Sequence, residues 1–564
     1  MEMAHAESTN LSPWARPESA ILALMGPGDT PEAYQERVKD DMGQLDISVQ
    51  RSRQLHNAHS PLLSLPDELL LDIIRRVRDA TLESATYPRA HPWNVSVTLC
   101  RRLWGIVTGF PSLHTRLSNV GHSTEFIKRS LVRSYPLAAD IHINVPSQYR
   151  EDELSQWTRL LRSHGHRIEA FSLRVPDCDP FGITATGIAN WPDHLTSLKS
   201  LQLHVDRNKV QNDHRLIYLK HLLSVLILAS RASCLASLQI DGLLPRPRAG
   251  GIVARAVYRR LVVLYLSDIQ FDFEDLADFV AILSAASTLE RLVVHQANLK
   301  AFMGSPLHPF TDSRQLPLPD TLRVLEYSGS KEAEFILLEH LVPSNPDTRL
   351  VLTCTDPSKH SAAHISTALK RWMSARRSTV VEAALRIANK VPDGRIQYLT
   401  RLSLWSSHEA ADTGHPPDVE YNGRLRHAES FEDMMTGPSY EHLQRLRLQV
   451  DKTAYSLLQV WKYGLDSWAP RLRDLDIRLH PTSEPRLSSE VFYFCEWLRY
   501  LNVNGKALHS LTVSSEVADA LDRLEKSRLQ SSDALSKGES HSDASAGPLS
   551  WREAVHNVFV TNVY

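Results

Sequence analysis

Three stretches of the chain carry residue types whose spacing can do chemistry. Gly121-His122-Ser123-Thr124-Glu125 begins like the turn that exposes a nucleophilic serine, but Glu125 stands where that turn closes on Gly, and no strand-to-helix pattern frames it. His164-Gly165-His166 sets two imidazoles at the spacing of a metal pair. No Cys or second His pair follows at ligand spacing, so solvated loop histidines are the simpler reading. Asp40-Asp41 reads as the solvated face of a polar helix. The Gly-rich dinucleotide and phosphate loops and the helical zinc signature His-Glu-x-x-His are all missing. An enzyme would need a deep pocket with convergent titratable groups, and the sequence offers none. No catalytic residue, metal or cofactor is therefore expected.

Composition narrows the class further. The 564 residues are 42% hydrophobic and 23% charged, with a formal charge of −2 and a pI near 7.0. A chain of this length exceeds one domain by the usual prior and can bury a large core. No basic excess argues for nucleic acid or an anionic membrane as partner. Cys100, Cys178, Cys234, Cys354 and Cys495 are odd in number and far apart, which reads as reduced, mostly buried thiols of a cytoplasmic or nuclear protein. The most apolar run, Leu222 to Ala229, is far short of the ~20 residues a bilayer needs. Ala20 to Met25 lacks the basic flank of a signal peptide.

The most informative elements are two short helices ahead of a leucine-patterned region. Ser64 is expected as N-cap of the first, with Asp67 completing a capping box and Pro66 in the first turn. Asp67 and Glu68 suit the positive end of its dipole, and Arg75, Arg76 and Arg78 the negative end. Leu69, Leu70, Ile73, Ile74 and Val77 recur at helical spacing, with Leu65 and Leu71 widening the face. In the second helix Leu99, Cys100, Leu103, Trp104 and Val107 form one face, and Arg101 and Arg102 the other, before Gly109-Phe110-Pro111 ends it. A helix this apolar calls for a partner. Either it docks another protein or it caps the end of a stacked repeat.

At these residues the chain resembles the F-box proteins. Leu65-Pro66-Asp67-Glu68-Leu69-Leu70 is similar to the family's opening Leu-Pro-x-Glu-[Leu/Ile]-Leu. Cys100-Arg101-Arg102 resembles its later Cys-[Arg/Lys]-x-Trp element, and Phe110 to Leu117 its Pro-Ser-Leu-Trp segment. Leu103 stands where the family has Trp, with Trp104 one place late, and His114 replaces the second Trp. A polar insert, Asp79 to Asn94, separates the helices. The layout is most similar to the large F-box families of mushroom-forming fungi. The resemblance implies that Leu65, Pro66, Leu69, Leu70, Ile73, Ile74, Cys100, Leu103 and Trp104 dock a Skp-family adaptor and, through it, a cullin–RING ubiquitin ligase. The chain would then be a non-catalytic receptor holding an unidentified protein substrate. The alternative is an interaction scaffold whose N-terminal helices only cap the repeats.

From Ile141 onward a phrase Leu-x-x-Leu-x-(apolar) recurs. It stands at Leu198, Leu235, Leu261, Leu289, Leu322, Leu399, Leu443, Leu472 and Leu508, with an earlier copy at Ile168. Helical patterns such as Phe273/Leu276/Phe279/Val280/Leu283, Leu457/Leu458/Trp461 and Phe494/Trp497/Leu498 lie between copies. Strand-then-helix units stacked side by side read as a leucine-rich-repeat solenoid, because no single unit can bury its own leucines. Spacing is uneven, and the Asn or Cys expected after the phrase is replaced by Leu243, Ile269 and Ala297, so a distorted ladder is expected. The long gap from Leu322 to Leu399 leaves room for a further unit near Leu350-Val351-Leu352. The middle residue of each phrase points away from the core, which makes Gln202, Gln239, Tyr265, Val293, Glu326, Ser403, Arg447, Asp476 and Thr512 the candidate substrate surface.

The expected fold class is thus α/β: a small helical F-box followed by an irregular leucine-rich-repeat solenoid. The boundaries read as a disordered stretch over 1–30, a lead-in helix over 31–59, the F-box over 60–118 and the solenoid over 119–515. Residues 406–440 are expected as an exposed loop, and 516–564 as a disordered tail with an apolar end.

Overall fold

A computed structural model describes residues 30–83, 101–119, 123–144, 151–175, 194–205, 234–244, 258–271, 273–299, 315–330, 332–355, 359–376, 380, 382–390, 397–425, 440, 442–450, 469–479, 487–503, 506, 508–536 and 551–561. Cys100, Cys178 and the expected helix around Leu457 to Trp461 lie outside them. The chain divides into two compact units, residues 1–113 and 114–564.

In the first unit α1 (Pro31–Ala58) is followed by α2 (Asp67–Glu83) and α3 (Arg101–Gly109). On α1 the apolar Val38, Met42, Leu45 and Val49 are exposed. Helix α2 buries Leu70 and Ile74, and α3 buries Leu103, Ile106 and Val107. Ser64 does not cap α2: its hydroxyl donates to Pro61 O at 2.7 Å. The helix follows directly on Pro66, whose carbonyl accepts from both Leu69 N and Leu70 N at 3.1 Å. A proline can open a helix in this way because the N–H it lacks would have no intrahelical acceptor.

Among the described residues the second unit holds one sheet of 16 strands, all parallel except β15. In chain order the unit's elements start with β1 (Arg116–Ser118), α4 (Thr124–Arg133), β2 (Ala139–Asn144), α5 (Glu151–His164), β3 (Ile168–Val175), β4 (Ser200–Val205), β5 (Ser237–Asp241) and β6 (Val263–Ser267). They continue with β7 (Gln270–Phe271), α6 (Phe273–Ala285), β8 (Arg291–His295), β9 (Asn298–Leu299), β10 (Leu316–Pro317), β11 (Val324–Gly329), α7 (Glu332–His340), β12 (Leu341–Val342), β13 (Arg349–Cys354) and α8 (Lys359–Arg376). Next come β14 (Glu382–Lys390), β15 (Gln397–Trp405), α9 (His408–Asp412), β16 (Val419–Leu425), β17 (Arg445–Val450), β18 (Asp474–Leu479), α10 (Leu487–Val503), β19 (Leu508–Ser514), α11 (Ser515–Ser536) and β20 (Val555–Thr561). The sheet order is β1-β2-β3-β4-β5-β6-β8-β11-β13-β16-β15-β14-β17-β18-β19-β20, with β7–β9 and β10–β12 as separate two-strand pairs.

Register explains the leucine phrase. Leu201, Leu238, Leu264, Leu292, Leu325 and Leu350 follow one another strand to strand, and Leu203, Ile240, Leu266, Val294, Tyr327 and Leu352 form the second row. Both rows are buried in one core with Phe279 and Leu283 of α6, Leu337 of α7 and Leu369 of α8. Each such side chain contributes on the order of 1.5–3 kcal/mol over exposure, which no isolated strand–helix pair could collect. The expected distortion after the phrase is locally absent. Gly242, Asp268 and Gln296 all take positive φ (91°, 52° and 51°). Their N–H groups donate to Ser267 O, His295 O and Ser328 O of the next strand at 2.8–3.0 Å. Leu243, Ile269 and Ala297 then turn inward and are buried. A left-handed residue followed by an apolar one carries the ladder without an Asn side chain. At Gly242 the turn also passes so close to the previous unit that a Cβ would lie 2.0 Å from Val205 O.

Two expected boundaries differ. Residues 406–440 are not simply a loop: they hold α9 and β16, and β16 lies inside the sheet between β13 and β15. Strands β14, β15 and β16 form a meander laid in reverse order, with β15 antiparallel to both neighbours. The signal was hidden because Val419, Tyr421 and Gly423 alternate with Glu420 and Asn422 without a leucine phrase. The expected tail holds regular structure over 515–536 and 551–561. Helix α11 runs to Ser536, and β20 pairs in parallel with β19 as the last strand of the sheet. Trp551 fastens this end: it is fully buried, and its indole N–H donates to Asp522 at 3.1 Å.

Candidate functional site

The chemistry-bearing stretches resolve into structure. Ser123 caps α4, its hydroxyl accepting from Phe126 N at 3.2 Å, which is an N-cap role. His164 ends α5, and burial followed by nearby Arg167 lowers its pKa below the usual imidazole value. Asp40 and Asp41 are exposed on α1. Among the described residues no group of three or more His, Cys, Asp or Glu could hold a metal ion, and no helix is long and apolar enough to cross a membrane. Cys354 and Cys495 are buried and Cys234 is exposed, all three without a disulfide.

The expected docking residues separate into two sets. Leu70, Ile74 and Leu103 are buried, so they hold the helices in place and are not docking surface. Leu69, Ile73 and Trp104 are 52%, 38% and 49% exposed. Leu69, Ile73 and Val77 recur every four residues, which places them on one stripe of α2. Leu65 is half-buried and Pro66 exposed.

Three arginines that the apolar pattern passed over organise this unit. Arg102 of α3 reaches the start of α2, donating to Asp67 Oδ1, to Leu65 O at 2.8 Å and to Leu63 O. Arg78 of α2 is buried and donates to Ser112 O and Leu113 O at 2.9 and 3.1 Å, while Arg75 reaches Ser112 Oγ at 2.9 Å. The Leu-Pro-Asp-Glu and Pro-Ser-Leu segments are therefore held in place by guanidinium groups. A five-donor planar group is suited to collecting several carbonyls at once.

In the second unit the middle row of the sheet's polar face runs Gln202, Gln239, Tyr265, Val293, Glu326, Val351, Glu420, Ser403, Ala384, Arg447, Asp476 and Thr512, each registered to the next. Its centre is acidic. His204 pairs with Asp241, and Arg291 with Glu326 at 2.6 Å. Burial, then Asp241, raises the Asp268 carboxyl above the usual carboxylate range. Burial, then Asp241, Asp268 and Glu326, raises the Tyr265 hydroxyl.

The C-terminal part of the face is different. Small Ser403 and Ala384 lie between Glu420 and Arg447 in the row, leaving a hollow walled by residues 411 and 414–417. This cavity measures about 500 Å³ and is lined by Arg349, Arg401, Trp405, Glu420, Arg447, Asp476 and Arg478 among others. Glu420 accepts from Arg349 at 2.7 Å, Arg401 at 2.8 Å and Asn422 at 3.1 Å. Asp412 accepts from Arg445 at 2.9 Å and Arg447 at 2.8 Å, and the hydrogen bond from Arg445 is the main cause of its lowered carboxyl pKa. Arg478 pairs with Asp476 at 3.0 Å. Trp405 donates its indole N–H to His415 O at 3.2 Å, and Ser406 N and Oγ donate to Asp418, tying down the wall.

Of the expected surface residues, Ser403, Arg447 and Asp476 meet in this cavity, while Gln202, Gln239, Tyr265 and Glu326 lie elsewhere along the row. Arg401 and Arg478 were within reach of the pattern, since each lies two residues from a middle position and so on the same face. Glu420 was not, because nothing marked its strand. No model of a known protein family matches the chain, and no curated protein matches it.

Proposed function

We propose that the chain is the substrate-recognition subunit of an SCF-type cullin–RING ubiquitin ligase, with an F-box in the first unit and a degenerate leucine-rich-repeat solenoid in the second. The observation that carries this reading is the exposed stripe of Leu69, Ile73 and Val77 on α2, which opens at Asp67 just after Leu65-Pro66, with Trp104 exposed on α3. Helices that served only to seal a core would turn such a stripe inward; a docking surface leaves it open in the free chain. The bracing of both motif segments by Arg102 and Arg78 supports the same reading, because a preorganised surface loses less entropy on binding. The repeat assignment is supported by the registered leucine rows and by the recurring left-handed turn at Gly242, Asp268 and Gln296. In this function the protein does no chemistry itself. It raises the effective concentration of substrate lysines near a ubiquitin-loaded enzyme.

The test is capture of a Skp-family adaptor by the full chain in co-expression. The wild-type chain should form a one-to-one complex, and Leu69→Asp with Ile73→Asp should abolish it without changing far-ultraviolet circular dichroism. No complex, or capture unaffected by the double change, would leave a scaffold whose helices have another role.

A further inference from the structure

The last strand of the sheet repeats the leucine phrase in valine. Val555, Val558 and Val560 stand in register with Leu508, Leu511 and Val513 of β19. Val555 is buried, yet Val560 is 50% exposed where its partner Val513 is wholly buried. The difference lies in the neighbours: β19 has a strand on each side, and among the described residues β20 has one only. Phe559, beside Thr512 on the opposite face, is 54% exposed. A strand at such an edge presents a row of unpaired N–H and C=O groups, and edges that stay single are short, charged, bulged or broken by proline. Strand β20 has none of these guards. Its seven residues, Val-His-Asn-Val-Phe-Val-Thr, include no Lys, Arg, Asp, Glu or Pro, and its register to β19 runs without a shift. At the other end of the sheet β1 has three residues and carries Arg116.

We infer that β20 pairs antiparallel with β20 of a second copy of this chain, about a two-fold axis at Phe559. In that register Phe559 lies opposite Phe559, and Asn557 opposite Thr561, on the polar face. Val558 lies opposite Val560 on the core face, so the valine row that ends half-exposed is continued by the same row of the second copy. Every pair joins like with like, and no charge faces another. The opposite edge cannot take this place, because a head-to-tail contact of β20 on β1 would pair only the three residues of β1. A two-fold axis keeps both polar faces on the same side of one continuous sheet. The pairing uses the second unit alone, so it is independent of adaptor docking, and either can fail without the other.

The test is sedimentation velocity of the full chain from about 1 to about 100 µM, because one strand pair is a small interface and association on the order of micromolar is expected. The species should shift from 63.7 kDa toward twice that mass as concentration rises. Phe559→Lys and Phe559→Glu, changes at an exposed side chain, each set two like charges directly opposite and should each weaken association about tenfold or more. An equimolar mixture of the two variants makes the pair opposite in charge and should dimerise again, which a fault in folding would not produce. A wild-type chain that stays monomeric throughout, a dimer indifferent to both changes, or a mixture no more associated than its components would overturn the inference; the first of these would leave the edge to a strand of another protein.

Discussion

Glu420→Gln isolates the part of the cavity that the sheet itself depends on. The change keeps volume and one acceptor oxygen but removes the charge that Arg349 and Arg401 share at 2.7 and 2.8 Å. Charge-assisted hydrogen bonds are worth about 1.5–3 kcal/mol each, and breaking a fully buried pair costs about 3–5 kcal/mol. Arg401 is more than half exposed, so water screens its share to roughly 1 kcal/mol or less. Arg349, with its Nε buried and lacking an acceptor, depends more on Glu420. The expected net loss is about 2 kcal/mol, felt locally because Glu420 lies between β13 and β15. The assay is native-state hydrogen exchange of peptides covering 349–354 and 397–425. At about 1.4 kcal/mol per tenfold, these amides should exchange about 30-fold faster in the variant, while those of β2 to β5 stay unchanged. Exchange within threefold of wild type across β13, β15 and β16 would refute the argument that this carboxylate holds the inserted strands.

Gly242→Ala should cost about 1–3 kcal/mol from its left-handed backbone alone, with the clash on Val205 O in addition; urea unfolding followed by circular dichroism checks it, and Asp268→Ala, where a Cβ is already present, should cost less. Asp268→Asn should stabilise the chain more at pH 7.5 than at pH 4.5. The folded carboxyl has a raised pKa, so the folded state binds more protons than the unfolded state above pH 3.8, and the contribution is lost as pH rises through the folded value. Asn also tolerates the positive φ, and an equal shift of the urea midpoint at both pH values would contradict this. Trp551→Ala should cost about 3–5 kcal/mol by emptying a fully buried site, and it leaves the Asp522 acceptor without the indole donor; limited proteolysis should then release β20 first.

The α/β class and the sequential order of β3, β4, β5, β6, β8 and β11 are written in the leucine phrases, because burial of a two-residue period needs no long-range information beyond a neighbouring strand. The first two helices are equally legible, since Leu69 through Val77 repeat at helical spacing. What periodicity does not carry is which side of a two-sided apolar helix is taken. Leu70, Ile74 and Leu103 became core while Leu69, Ile73 and Trp104 stayed outside, a choice made by how α2 and α3 meet. Nor does local pattern reveal an arginine's long reach, so Arg78 read as a partner of the helix dipole and Arg102 as part of the polar face, while both in fact collect distant carbonyls. The cavity is decided wholly in three dimensions. Strands β14 to β16 enter the sheet in reverse order, and only then do Arg349, Arg401, Glu420, Arg447 and Arg478, drawn from five separate strands, become neighbours. Sequence alone determined the repeating unit, because its free energy comes from contacts between adjacent like strands. The tertiary structure decided the charged site, because that site exists only where the repetition is interrupted.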